Sequence, residues 1–333
     1  MVRRIALWSL AAAVAIAILV VLAFKLSPWP SALLIRRAFD QQAVKTAQAL
    51  ESRVPPGVAM APNLSYDPGD HDALLDVFYP ASIEGAEKTL PTVLWVHGGG
   101  FLSGGKDQIA NYLRILAAKG FTVIGVDYSL APGKTYPTPV RQVNAALAFL
   151  MRNAARLHVD QANVFLAGDS AGSQIAGQLI NVISTASYAS EVGISPSIER
   201  SQLRGAILYC GVFGAEQINF DGPFGAFLRT VLWSYFGTTD FARDPRLTQF
   251  SVVAHLTGDF PALFISAGNA DPLLPQSRGL AQAAADAGVS VDSLFFPQDH
   301  APPLPHEYQF NLDEEAGRLA LERSVAFVRS RVR

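Results

Sequence analysis

The stretch Gly168-Asp169-Ser170-Ala171-Gly172 sets a serine between two glycines, directly after the apolar run Val164–Ala167 and directly before a run of small residues. A serine so placed could attack a carbonyl carbon, provided a sharp turn lifts its hydroxyl clear of the chain and a base takes its proton. Glycines at 168 and 172 suit that turn, since a Cβ at either position would collide with the crossing strand and helix. The N-terminus of the following helix would favour negative charge beside the hydroxyl. The pentapeptide alone is a short pattern of common residues, so its surroundings decide between a nucleophile and a plain turn hydroxyl.

A second motif, His97-Gly98-Gly99-Gly100-Phe101, follows the apolar run Thr92–Val96. Consecutive glycines let the backbone come close to a substrate and aim N–H groups at a developing oxyanion. Gly98 and Gly99 are expected to supply two such donors, with Ala171, the residue after the serine, as the third. His97 and Gly100 read as supports of this loop, as Gly168 and Gly172 are of the serine turn; His97 is not expected to be the base. Ser173 and Asp169, beside the serine, also read as structural.

In this order and at this spacing the two motifs resemble those of the hormone-sensitive-lipase-like group of α/β-hydrolase esterases. The resemblance runs from about Leu74 to the C-terminus and includes Val126–Pro132, "VDYSLAP". It implies a Ser-His-Asp triad whose acid lies in an Asp-x-Leu after the next-to-last strand and whose base follows the last strand. Asp271 in "GNADPLL" matches the first and His300 in "FFPQDHA" the second. Read without the family, both residues follow apolar runs, Ala262–Ala267 and Val291–Phe296, and the order serine, aspartate, histidine is that of this fold. The rivals for the base are His306, six residues beyond, and His255; His300 is the expectation. The chain departs from the family pattern at Ser129 and Gly133 around "LAP", and in having Ala-Pro-Pro after His300.

These residues need a scaffold that brings strand ends to one edge. Short apolar runs alternate with helical periodicity: strands at 74–80, 92–96, 122–126, 164–167, 206–209, 262–267 and 291–296, helices around 111–119, 140–158, 173–185, 276–287 and 313–331. That alternation predicts an α/β fold, one mainly parallel sheet with helices on both faces. Pro55, Pro56 and Pro62 read as a loop before the first strand. Residues 31–333 are read as the hydrolase domain, with cap elements from about 31–60 and from 213–258 over the C-terminal edge of the sheet, where open α/β sheets bind ligands. Phe224, Phe227, Leu228, Trp233 and Phe236 in the second cap segment would suit an apolar acyl or alcohol group, or serve only to cover the core.

Residues 1–30 read as a separate segment. After Arg3 and Arg4 come 20 uncharged residues, Ile5–Phe24, which as a helix would cover roughly 30 Å, the thickness of a bilayer's hydrocarbon core. An uncleaved single-pass anchor is preferred over a cleaved secretory signal, whose apolar stretch is shorter. Arg3 and Arg4 put the N-terminus in the cytoplasm and the catalytic domain outside it, although Arg36 and Arg37 count against this. Secretion after signal cleavage is the alternative. The stretch Ala32–Leu50 is amphipathic and reads as a helix lying on the domain or on the membrane.

The chain has 26 basic and 28 acidic residues, a balance that gives no reason to expect nucleic acid as a partner. Its single cysteine, Cys210, rules out an intrachain disulfide framework and reads as a small buried hydrophobe. No metal-ligand spacing is present, and the triad needs neither metal nor organic cofactor. The reading is a serine carboxylester hydrolase acting through an acyl-enzyme on small to medium apolar acyl esters, its partners an ester or lipid substrate and, through the anchor, a membrane. The alternatives are a membrane-tethered acyltransferase, an amidase or peptidase with the same triad, or a non-catalytic binding module of this fold.

Overall fold

The computed structural model describes residues 1–222 and 224–333. The helices are α1 (Val2–Leu26), α2 (Trp29–Glu51), α3 (Lys106–Ala117), α4 (Thr138–Arg152), α5 (Ser170–Ser184), α6 (Ala186–Val192), α7 (Gly225–Phe236), α8 (Arg246–Phe250), α9 (Val252–His255), α10 (Leu274–Asp286) and α11 (Glu315–Arg331). The strands are β1 (Val58–Ser65), β2 (Leu74–Pro80), β3 (Leu90–Val96), β4 (Thr122–Val126), β5 (Val159–Asp169), β6 (Leu203–Tyr209), β7 (Ala262–Ala267) and β8 (Val291–Phe295). They form one sheet in the order β1-β2-β4-β3-β5-β6-β7-β8. From β4 onward every neighbouring pair is parallel; β1 and β2 enter antiparallel.

Alternation along the central strands divides the core into two halves, because successive side chains point to opposite faces. Val93 and Trp95 of β3 pack with Phe165, Phe264 and, from the helices, Tyr112 and Phe327. Leu94 and Val96 face the other way and pack with Leu147, Ile175 and Leu280 of α4, α5 and α10. Helices therefore cover both faces, as a parallel sheet requires.

β1 was not expected. The prolines that read as a loop flank or interrupt it, and the pairing of β1 with β2 shifts register between Ala61 and Leu64, around Pro62. A proline lacks the ladder N–H and is tolerated on an edge strand at such a bulge, the position it holds here.

β5 meets α5 with no intervening residue, and Ser170 takes φ +50 at the junction. A Cβ on Gly172 would stand 2.0 Å from the Val96 carbonyl oxygen, and one on Gly168 would stand 2.7 Å from the Gly172 backbone. These obstacles are backbone atoms of a central strand and a buried helix, which have nowhere to move. Gly172→Ala should therefore cost about 2–3 kcal/mol of stability through overpacking, measured as a lowered denaturant midpoint at unchanged slope.

Candidate active site

The C-terminal ends of the strands carry the site. Ser170 stands at the start of α5, and its left-handed backbone projects the hydroxyl away from strand and helix. Ser173, one turn on, is fully buried; its hydroxyl accepts from the Tyr209 N–H at 2.9 Å and donates to the Gly168 carbonyl at 2.6 Å, tying the turn to β6.

The acid comes from the turn after β7. Asp271 is buried, its Oδ1 accepting from the Leu273 N–H at 2.7 Å and its Oδ2 lying 2.8 Å from His306 Nδ1. His306 Nε2 lies 2.9 Å from Ser170 Oγ. The residue that joins Asp271 to Ser170 is therefore His306 and not His300, which corrects the sequence expectation. His300 Nδ1 turns to the Pro302 carbonyl at 3.0 Å, and its ring packs edge-on against Phe296 at 4.8 Å.

The reason lies in the length of the loop after β8. His300 is used up in a turn, its N–H bonded to Pro297 O. Asn269, two residues before the acid, then stitches the loop down, donating to Gln298 O and His300 O and accepting from the Leu304 N–H at 2.8 Å. Leu304 O in turn accepts from Ala270 N. The chain thus crosses the end of β7 at residues 304 and 305 and delivers His306, not His300, to the carboxylate. Counting only from the end of the last strand could not reveal this crossing; the "LPHEYQF" segment held the signal, a histidine among buried apolar residues.

Burial works against a charged imidazole at His306, while the Asp271 hydrogen bond and Glu307 favour it, and the balance holds its pKa well above the usual histidine value. Cys210, at φ +45 just after β6, is buried beside this ring, and burial pushes its thiol up to about 11. Its thiol, Asp271 and His306 offer ligand atoms within 4.8 Å of one another, but the imidazole and carboxylate of that group already bond each other.

The loop after β3 supplies N–H groups. Gly99 takes φ +111, and a Cβ there would stand 2.1 Å from Ser103 O. Its N–H and that of Ala171 meet no acceptor among the described residues, which leaves both open to a substrate oxygen. Gly98 differs from expectation: its N–H donates to Asp169 Oδ2 at 2.8 Å and is already committed. The buried Asp169 carboxylate also accepts from Trp95 Nε1 at 2.7 Å. His97 is buried, its Nδ1 2.7 Å from the Gly98 carbonyl, its ring stacked on Tyr128 at 4.3 Å. Burial lowers its pKa to about 4, so it stays neutral.

Above Ser170 lies a cavity of about 310 Å³. Gly100, Phe101, Leu273 and Phe310 line it from below, Phe39, Ala43 and Thr46 from α2, and Phe224, Phe227, Leu228 and Val231 at and within α7. Phe39 and Phe227 pack against each other in its wall, ring centroids 5.8 Å apart. The five residues singled out in the second cap segment divide: Phe224, Phe227 and Leu228 reach the cavity, while Phe236 is buried among Tyr136, Tyr235 and Phe250 and Trp233 packs on that core.

A family model for the alpha/beta hydrolase fold matches residues 93–301. The chain belongs to this family. Among solved structures the hydrolase superposes on an inhibited form of esterase B from Lactobacillus rhamnosis with a TM-score of 0.75 at 23% identity, over 90% of this chain and 97% of that one. The esterase LipW from Mycobacterium marinum matches with 0.70 at 22%, over 90% of each chain. Vibralactone cyclase matches with 0.72 at 19%, over 91% and 90%. One fold thus carries more than one reaction, and the chemistry of this hydrolase has to be argued from its site. His306→Ala should lower the rate at which a fluorophosphonate labels Ser170 by about 10⁴-fold or more, the scale of losing a triad base. His300→Ala should stay within about 0.5 kcal/mol, or twofold, of the parent.

Proposed function

We propose that the protein is a membrane-anchored serine carboxylester hydrolase that works through an acyl-enzyme on small to medium apolar acyl esters. One observation carries the reading: Asp271, His306 and Ser170 stand in a hydrogen-bonded row, and the last two of them line an apolar cavity. The esterases among its structural relatives support it.

In this reaction Ser170 Oγ bonds to the ester carbonyl carbon while its proton passes to His306 Nε2, and the carbonyl electron pair moves onto oxygen. The open N–H groups of Gly99 and Ala171 receive that oxyanion, each such donor being worth about 10²–10³ in rate. Asp271 holds the Nδ1–H tautomer and offsets the imidazolium charge. Collapse breaks the ester C–O bond, the leaving alcohol takes the proton from Nε2, and a water molecule repeats the cycle on the acyl-enzyme. A cavity of about 310 Å³, walled by phenylalanines, suits an apolar acyl chain of modest length.

Features of α1 and α2 support the anchor. The span Arg3–Leu26 is apolar enough to cross a bilayer and none of its most apolar stretch is buried. Trp29, three residues beyond the end of α1, is 44% exposed, and Leu33 and Leu34 on α2 are also exposed; a tryptophan at that height suits the lipid interface. The inner side of α2 belongs to the catalytic domain. Arg36 donates to Leu102 O at 2.5 Å and Ala131 O at 3.1 Å, and Asp40 accepts from Ser103 Oγ at 2.7 Å.

Hydrolysis of p-nitrophenyl esters of increasing acyl length should peak at short to medium chains and vanish in Ser170→Ala; equal background rates in both proteins would overturn the reading. Deleting residues 1–26 should release the protein from membranes with its rate on a soluble short ester unchanged. Deleting residues 1–51 should lower that rate by about 10²-fold, because the cavity loses a wall and the Gly99 loop its support.

A further inference from the structure

Glu307 follows the base directly and has no part in the triad. It holds a left-handed backbone at φ +59, a conformation that costs a residue other than glycine about 1 kcal/mol or more and persists only where the surroundings enforce it. Its side chain faces the site: Oε1 lies 3.9 Å from His306 Nε2, and its carboxyl stands beside that of Asp169. A Cβ on Gly98 would stand 2.3 Å from Asp169 Oδ2 and 2.8 Å from Glu307 Oε1, so both carboxyl groups converge over the same backbone atom. Asp169 is buried while the Glu307 side chain is 34% exposed; two carboxyl groups so placed can hydrogen-bond only if one of them carries a proton, and a second carboxylate beside the buried one disfavours its ionisation.

The positions in the chain give this contact its meaning. Asp169 is the neighbour of the nucleophile and Glu307 the neighbour of the base, so the carboxyl contact runs beside the Ser170–His306 hydrogen bond and joins the same two loops. We propose that Asp169 and Glu307 share one proton and that this proton clamps the base loop to the serine turn, making Glu307 a positioning residue for the reaction. Loss of the proton leaves two repelling carboxylates, which drives residues 306 and 307 away from 169 and 170.

Burial, then the charge of Glu307, holds the Asp169 pKa well above the ordinary carboxylate value, the direction that favours the shared proton. The groups that face the pair do not replace it. Tyr112 of α3, Tyr128 after β4 and Cys210 after β6 are buried and held uncharged, and His97 is neutral. Only the His306 imidazolium offers positive charge, and only when the base is protonated. The expected pH profile therefore rises as His306 loses its proton and falls again, on the alkaline side, as the clamp loses its own.

The effect on rate rests on the ester-hydrolase reading; the shared proton does not. In Glu307→Gln the amide N–H donates to Asp169 without titrating, so the alkaline fall should disappear while the acid limb remains. Glu307→Gly suits the left-handed backbone and removes the clamp, and should lower kcat by about 10- to 10²-fold at every pH, with KM for a short ester little changed. An alkaline limb that persists in Glu307→Gln, or a Glu307→Gly protein with the parent's profile, overturns the proposal. Infrared difference spectra read the proton itself at about pH 8, where Asp127, raised to about 6 by burial, has ionised. A protonated-carboxyl band in the parent that is lost in Glu307→Gln supports the clamp even if no ester is turned over, in which case the ester-hydrolase reading fails alone. Absence of that band overturns the clamp whatever the activity.

Discussion

Crowding where β3, β5 and α5 cross is the constraint on which the rest of the molecule depends. Gly168 and Gly172 bring backbone against backbone there, within distances that no Cβ could share. The chain can pass from strand to helix in that space only by giving Ser170 a left-handed conformation, and that conformation is what exposes its hydroxyl. The strain of one residue is held by the packing of a sheet centre, whose side chains are almost wholly excluded from water. The same crossing sets the Ala171 N–H at the open N-terminus of α5 and aligns it with the loop that leaves β3. The exposed Ser170 hydroxyl and the open Ala171 N–H are thus products of one steric fact.

The parts of the chain that were legible in sequence are those where a local pattern carries the information. Apolar runs of period two or unbroken apolar strands, followed by helical periodicity, located β2 to β8 and the main helices, with ends that miss by as much as six residues, as at the end of α4. The glycine motifs marked the two loops because a glycine requirement is written at the position that needs it. β1 was hidden because prolines announce loops, and only pairing with β2 reveals that an edge strand has absorbed one at a bulge. The base was hidden for a different reason. Its position is decided by Asn269, some 37 residues upstream of His306, whose side chain fixes where the last loop crosses the sheet; no spacing within the loop encodes that. The commitment of the Gly98 N–H to Asp169 was likewise invisible, since it depends on a carboxylate that reads, from sequence, as one more residue of a turn.

Helix α2 serves two surroundings at once. One side carries Phe39, Ala43 and Thr46 into the cavity and bonds the loop after β3 through Arg36 and Asp40. The other leaves Leu33, Leu34 and Val44 in solvent beside the end of α1. An amphipathic helix normally resolves such a division by turning its apolar side inward; here apolar residues occupy both sides, and the outward ones begin where the apolar N-terminal helix ends.

The stitching of the last loop has a consequence for how the site comes apart. Asn269 binds the chain that carries the base, and Asp271 follows it by two residues, so acid and base are fastened to each other through one short piece of backbone. The serine belongs to a different piece, the strand–helix junction at the sheet centre. The hydrogen-bonded row is therefore two bodies and not three, with the seam running between His306 and Ser170. Warming or mild denaturant would part the molecule along that seam while the Asp271–His306 couple stayed whole, and the row would break before the sheet did.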